Sequence, residues 1–261
     1  MQPALFLSHG APDLALVDIP AARFLRTLFH KANRPAAIVI LSAHWEEVEV
    51  EITTSPLLPT IHDFGGFPQA LYDLQYPAKT EPWLIEAVGN ALGEKGIQVS
   101  QNPNRGLDHG AWVPLLLAVP KADIPVVQVS LPYASSTQDY FEFGRSLSAL
   151  SAQNILIIGS GASVHNLRSI KREGTPPPEW AIEFTDWVET TLLNQNWAEL
   201  FKFDQTSVGK MSHPTPEHFL PLIVAAGAGD GAGQKMHIRK LHDSYSYGSI
   251  GMSAWEFTNE A

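Results

Sequence analysis

Four short runs of β-branched and aliphatic residues, at 4–7, 37–41, 125–131 and 154–158, leave few folds open to this chain. Strands of that make-up have no polar face, so both sides must be covered. A mostly parallel central sheet with helices on both faces does this. The stretches between the runs carry the helical period that would supply the cover. Residues 20–32 set Ala21, Phe24, Leu25, Leu28 and Phe29 on one face, with Asp18 and Pro20 as start signals. Residues 81–95 repeat the pattern with Leu84, Ala87, Val88, Ala91 and Leu92, and Gly96 suits the position just past the last turn. After the stop at Pro176-Pro177-Pro178, residues 179–194 place Trp180, Phe184, Trp187, Val188 and Thr191 on one helical face, read as core.

The remaining segments are less regular. Residues 48–53 alternate strictly, which predicts a strand with one wet face at an edge or in a hairpin. Residues 244–248 and 251–257 predict a last pair of strands around a glycine turn, and the Gly-rich 225–233 a helix end and loop. With no internal repeat and no linker, the expectation is one α/β domain over residues 1–261.

Composition removes whole classes of function. Seventeen Lys and Arg against 27 Asp and Glu leave a formal charge of −10, and a field of that sign repels phosphate backbones, so nucleic acid is not an expected partner. The absence of cysteine excludes disulfides, thiolate zinc sites, iron–sulfur clusters and cysteine nucleophiles. Any metal must be held by His, Asp or Glu. Residues 1–9 have no basic leader region and too short an apolar run for a signal sequence or span, so no membrane is expected and a cytoplasmic enzyme is the default.

The histidines are informative because ligands of open α/β sheets bind at the carboxyl ends of the strands. His9 follows the first run, His44 the second, and His165 the fourth after the loop at 159–163. His109 precedes a helical pattern in Asp108-His109-Gly110-Ala111-Trp112, and His218 opens the helix of Pro214-Thr215-Pro216-Glu217-His218. One histidine after a strand is most often a satisfied structural residue. Several that converge on one crevice favour metal binding or acid–base chemistry, since imidazole is the commonest transition-metal ligand and titrates near neutrality. His30 and His237 read as surface, and His62, His213 and His242 are left open, with supporting roles conceivable for the first two. Gly159-Ser160-Gly161-Ala162-Ser163 looks like half a phosphate loop but lacks the lysine of a P-loop and the full dinucleotide spacing. No Gly-x-Ser-x-Gly elbow and no His-Glu-x-x-His helix occur.

Six blocks, from Ser8-His9-Gly10-Ala11-Pro12 and Ser42-Ala43-His44-Trp45 through 62–68, 107–112 and 161–168 to Pro216-Glu217-His218-Phe219, resemble the class III extradiol ring-cleaving dioxygenases, in the DOPA 4,5-extradiol branch. Residues 248–253 resemble that branch as well. The resemblance implies a non-haem Fe(II) centre, a catechol substrate and O₂. It makes His9, His44 and His218 metal ligands, His165 an acid–base histidine that can also coordinate zinc when zinc fills the site, and His109 a hydrogen-bond donor to oxygen. The wider superfamily uses two histidines and a carboxylate, so Glu217 is the alternative to His218; adjacent helical residues point about 100° apart, and only one can face the metal.

On this reading His165 removes the second catechol proton and later returns one, suited by an unperturbed pKa near 6.5. Trp45, Trp112, Tyr133 and Phe64 are conceivable walls for the ring or equally core, and Arg168 would meet a substrate carboxylate or make a structural ion pair. The product expected from L-DOPA is the yellow 4,5-seco-DOPA. Zn(II) outcompetes Fe(II) at most nitrogen sites, so purified protein can be zinc-loaded and inert. The main rival is a zinc hydrolase in which Glu217 or Asp108 activates water. Oligomeric state is not legible.

Overall fold

The computed structural model describes residues 1–29, 34–133, 136–230 and 236–259. His30 and the ends of the 20–32 and 225–233 stretches lie outside the described residues.

The predicted runs become strands β1 (Ala4–Ser8), β2 (Ala37–Ser42), β3 (Val126–Gln128) and β4 (Ile155–Gly161). With β5 (Met236–His242) and β6 (Ala254–Asn259) they form a six-stranded sheet in the order β3-β2-β4-β1-β6-β5. The first four are parallel, and β6 runs antiparallel to both β1 and β5. Successive strand residues feed two cores, as the period of two requires. Leu5, Leu7, Ile38, Ile40, Leu156 and Ile158 pack with α1 (Pro20–Thr27) and α3 (His109–Ala118) on one face. Phe6, Val39, Leu41 and Ile157 pack on the other with α2 (Pro82–Gly93), α4 (Thr137–Leu147), α5 (Glu179–Leu193) and α6 (Leu220–Gly229). The chain is thus an α/β domain with a mostly parallel sheet covered on both faces.

Several expectations are corrected in detail. The 125–131 run is two pieces, because after β3 the chain leaves the sheet and Leu131–Pro132 pairs in parallel with Glu46–Glu47. The alternating 48–53 segment is a strand only at Val50–Thr53. It pairs in parallel with Val99–Asn102 and is not part of a hairpin, and Val48 is exposed. The C-terminal pair is Tyr245–Ser246 with Ile250–Gly251, around Tyr247 and Gly248 at φ 49° and 77°, while β6 joins the main sheet. In α1, Pro20 takes the first turn as expected, but Asp18 does not cap it and pairs with Arg23 and Arg26. Phe184, Val188 and Thr191 of α5 are buried, and Trp180 and Trp187 pack half-buried against them. Among the described residues no helix is long and apolar enough to cross a membrane.

The register positions the site. Ser8 is level with Gly161 and Ser42 with Ser160, so the carboxyl ends of β1, β2 and β4 finish side by side. His9 and His44 are the first and second residues beyond their strands.

Candidate metal centre

Each candidate histidine reaches the crevice from a different element. His9 follows β1, His44 follows β2, and His165 lies four residues past β4. His109 is the first residue of α3, whose N-cap Asp108 accepts the amide of Ala111. His218 lies in the turn before α6 and does not open the helix itself; Pro221, the helix's second residue, has no N–H to give. Its carbonyl accepts the amide of Ala162 at 2.9 Å, which ties that turn to the end of β4.

One ligand atom each from His9, His44 and His218 lie within 4.8 Å of one another. His9 and His44 approach through their Nε2 atoms, 3.1 Å apart. The outer nitrogens explain that orientation. Ser160 Oγ gives its proton to the Gly110 carbonyl, so it accepts from His9 Nδ1 at 3.0 Å and leaves the His9 Nε2 lone pair facing the cluster. His218 Nδ1 donates to Glu217 Oε1 at 3.0 Å, which frees its Nε2 in the same way. His44 Nδ1 is 3.9 Å from Asp63 Oδ2. Histidine ligands held from behind by a hydroxyl or carboxylate are the usual preparation for a cation.

Electrostatics agree with that preparation. Burial, then the neighbouring imidazoles, hold His9 well below its usual range and His44 at about 2. Both are therefore neutral, as ligands must be. Burial alone would raise the Glu217 and Asp63 carboxyls, but hydrogen bonds from His218 and His109 outweigh it and hold each at about 2. The all-imidazole inner set, ringed by anions, fits a first-row divalent metal.

His165 falls outside the His9, His44 and His218 group and inside one formed with Glu217 and His218. Its ring stacks on that of His218 at 3.5 Å and 10°. Burial and then His218 push it down to about 3, below the near-neutral value expected of it. His109 lies with its ring 4.0 Å from that of His44. Asp63 Oδ1 accepts both its Nδ1 and its backbone amide at 2.9 Å.

The other candidates sort by burial and partner. Trp45 and Trp112 are buried, donating to Glu47 and to the Ile61 carbonyl, and Tyr133 is exposed. Only Phe64 of the four sets its ring beside a site histidine, 5.8 Å from His109. Arg168 is exposed and makes no ion pair among the described residues. His62 bonds the Leu74 carbonyl, and His242 stacks on Phe24. His237 is exposed. His213 is buried among Phe184, Phe203 and Phe219 and bonds the Ser163 carbonyl, two residues from His165.

Asp63, Ser160 and Arg105 carry no local signal in the sequence. Ser160 hid inside the apparent phosphate loop, whose glycines serve close approach instead. A Cβ on Gly159 would lie 2.1 Å from the Pro221 carbonyl, and one on Gly161 2.1 Å from that of His218. Of the carboxylates a zinc hydrolase would use, Asp108 is fully buried and held at both oxygens, and Glu217 is held at one, Oε1, which accepts from His218 and Thr215.

Residues 3–255 match the family described as the catalytic LigB subunit of aromatic ring-opening dioxygenase. A 4,5-DOPA dioxygenase extradiol from Beta vulgaris is 38% identical over 97% of this chain and 96% of its own, and one from Escherichia coli is 42% identical over 88% and 86%. The crystal structure of an uncharacterized protein from Escherichia coli K12 superposes with a TM-score of 0.81 at 33% identity, covering 98% of this chain and 99% of that one. The chain belongs to the LigB family of aromatic ring-opening dioxygenases and is an extradiol enzyme of that family.

Proposed function

We propose that the enzyme opens the ring of a substituted catechol, L-DOPA or a close relative, with O₂ at an Fe(II) centre held by His9, His44 and His218. The observation that carries this is the convergence of three imidazoles, two of which have their outer nitrogens occupied by Ser160 and Glu217. Glu217 then acts as the outer partner of His218 rather than as its replacement. Ferrous iron, when bound, supplies the open positions that bring catechol and O₂ together and a path for electrons between them.

The remaining steps belong to the chain. His165, neutral and stacked on His218, accepts the second catechol proton and returns it as the ring opens. The field of the anionic substrate offsets the burial that otherwise depresses its basicity. His109, whose Nδ1 donates to Asp63, presents its Nε2 lone pair, which accepts a hydrogen bond from an O–H of the reacting groups rather than donating one. Phe64 offers an apolar edge to the ring. The product from L-DOPA is 4,5-seco-DOPA.

The test is anaerobic reconstitution of metal-free protein with Fe(II), followed by air and L-DOPA, with oxygen uptake and visible absorbance recorded. Uptake with a yellow product, absent with zinc and in His165→Ala, supports the reading. No uptake with L-DOPA or a panel of simple catechols overturns it.

A further inference from the structure

Behind the imidazoles lies a buried polar cluster that the reaction does not itself use. Asp108 is fully buried, and a carboxylate there is costly unless each oxygen is paired. Oδ1 accepts from the Ser42 hydroxyl at 2.7 Å and the Ala111 amide at 3.2 Å. Oδ2 accepts from Gln128 Nε2 at 2.5 Å and from Arg105 at 3.1 Å. These partners come from the end of β2, the first turn of α3, the end of β3 and the loop before α3.

Two of the partners continue to the site. Ser42 Oγ accepts the backbone amide of His44 at 3.2 Å, and the same Arg105 nitrogen donates to the His44 carbonyl at 3.3 Å. His44 is thereby gripped at both its N–H and its C=O by groups bound to Asp108. Asp108 is also the cap directly preceding His109. Arg105 lies over the Trp45 ring at 4.9 Å, which fixes the guanidinium from its other side.

We propose that Asp108 and Arg105 are a positioning pair that holds His44 and His109 at a fixed separation across two elements. The proposal rests on the roles given to those histidines above. Stability alone is a poor reason for the arrangement. A buried ion pair is often matched or bettered by apolar packing, and here Arg105 Nε and Gln128 Oε1 are buried without a partner among the described residues. What the network delivers is geometry: a charge whose four partners lie on separate elements leaves those elements one relative placement.

Asp108→Asn keeps the shape but turns an amide NH₂ toward groups that are themselves donors. Ser42→Ala removes one link with little change in volume, and serves should the first variant fail to fold. The measurements are Zn(II) affinity by chelator competition, kcat and KM for L-DOPA, and imidazole nitrogen resonances of the metal-free protein. We expect Asp108→Asn to weaken Zn(II) binding by about tenfold or more and to lower kcat similarly with KM changed less than about twofold. The His44 and His109 resonances should move while those of His213 and His242 stay. Ser42→Ala should move the same two resonances less. Unchanged Zn(II) affinity and His44 and His109 resonances in both variants would overturn the proposal, as would a lowered melting temperature with resonance changes spread evenly over all histidines. If the wild type cleaves no catechol the proposed reaction fails, while Zn(II) affinity and the two resonances still decide on the pair.

Discussion

Gly110 shows how closely the candidate ligands are packed. A Cβ there would meet Ser42 Oγ at 2.3 Å, His44 Cδ2 at 2.9 Å and His9 Cε1 at 3.1 Å. Alanine would otherwise favour helix α3 by roughly 1 kcal/mol, so Gly110→Ala should leave helicity intact and still cost most of the bound metal. Circular dichroism and metal content after dialysis check both halves. Glu217 and His218 can be separated in the same way. If Glu217 only orients His218, Glu217→Gln retains metal with an affinity lower by about 10–100-fold, whereas His218→Ala retains none after dialysis. Competition with a chelator of known affinity measures the difference.

Helices α4 and α6 cross with glycine on both sides. A Cβ on Gly144 would lie 2.1 Å from the Val224 carbonyl, and one on Gly227 2.0 Å from that of Phe141. Backbone meets backbone here, so a methyl group cannot be absorbed by a rotamer change and the helices must part. Gly144→Ala should destabilise by about 1–3 kcal/mol, read from denaturant midpoints at constant m value. The effect on the centre should be small, because the turn carrying His218 is tied to β4 by its own hydrogen bond to Ala162 rather than by α4.

Across the whole molecule, buried imidazoles set the response to acid. His9, His44, His165 and His213 are all held below 6.5 in the folded chain, chiefly by burial, with His165 and His213 at about 3. Between those values and 6.5 the unfolded chain binds more protons than the folded one. Stability is therefore complete above about pH 6.5 and falls as the pH drops toward 3, by up to about 1.4 kcal/mol per pH unit for each such group. Melting of the metal-free protein should thus fall steeply from pH 7 to pH 5, with a shallower slope in His213→Asn. A metal that binds only the folded state adds about 2.7 kcal/mol at a free concentration of 100 times its Kd, so chelation should lower the melting temperature at every pH.

The sequence by itself determined the α/β class and the address of the candidate site. Buried strands announce themselves in local composition, so the four apolar runs and the helical periods between them made the α/β class legible, and the histidines that follow the strands marked the crevice. It did not show where strands end or what they pair with: the 125–131 run divides and the 48–53 strand finds a parallel partner at 99–102, because pairing depends on chain that lies far away in sequence. The partners of the imidazoles were likewise beyond it. Asp63 reaches His109 from 46 positions away and Ser160 reaches His9 from 151, distances at which spacing carries no information about contact. Only the tertiary structure decided which nitrogen of each ring faces inward and that Glu217 turns toward the back of His218. A ring's orientation is set by the hydrogen bond on its far side, and folding, not local sequence, brings that partner into place.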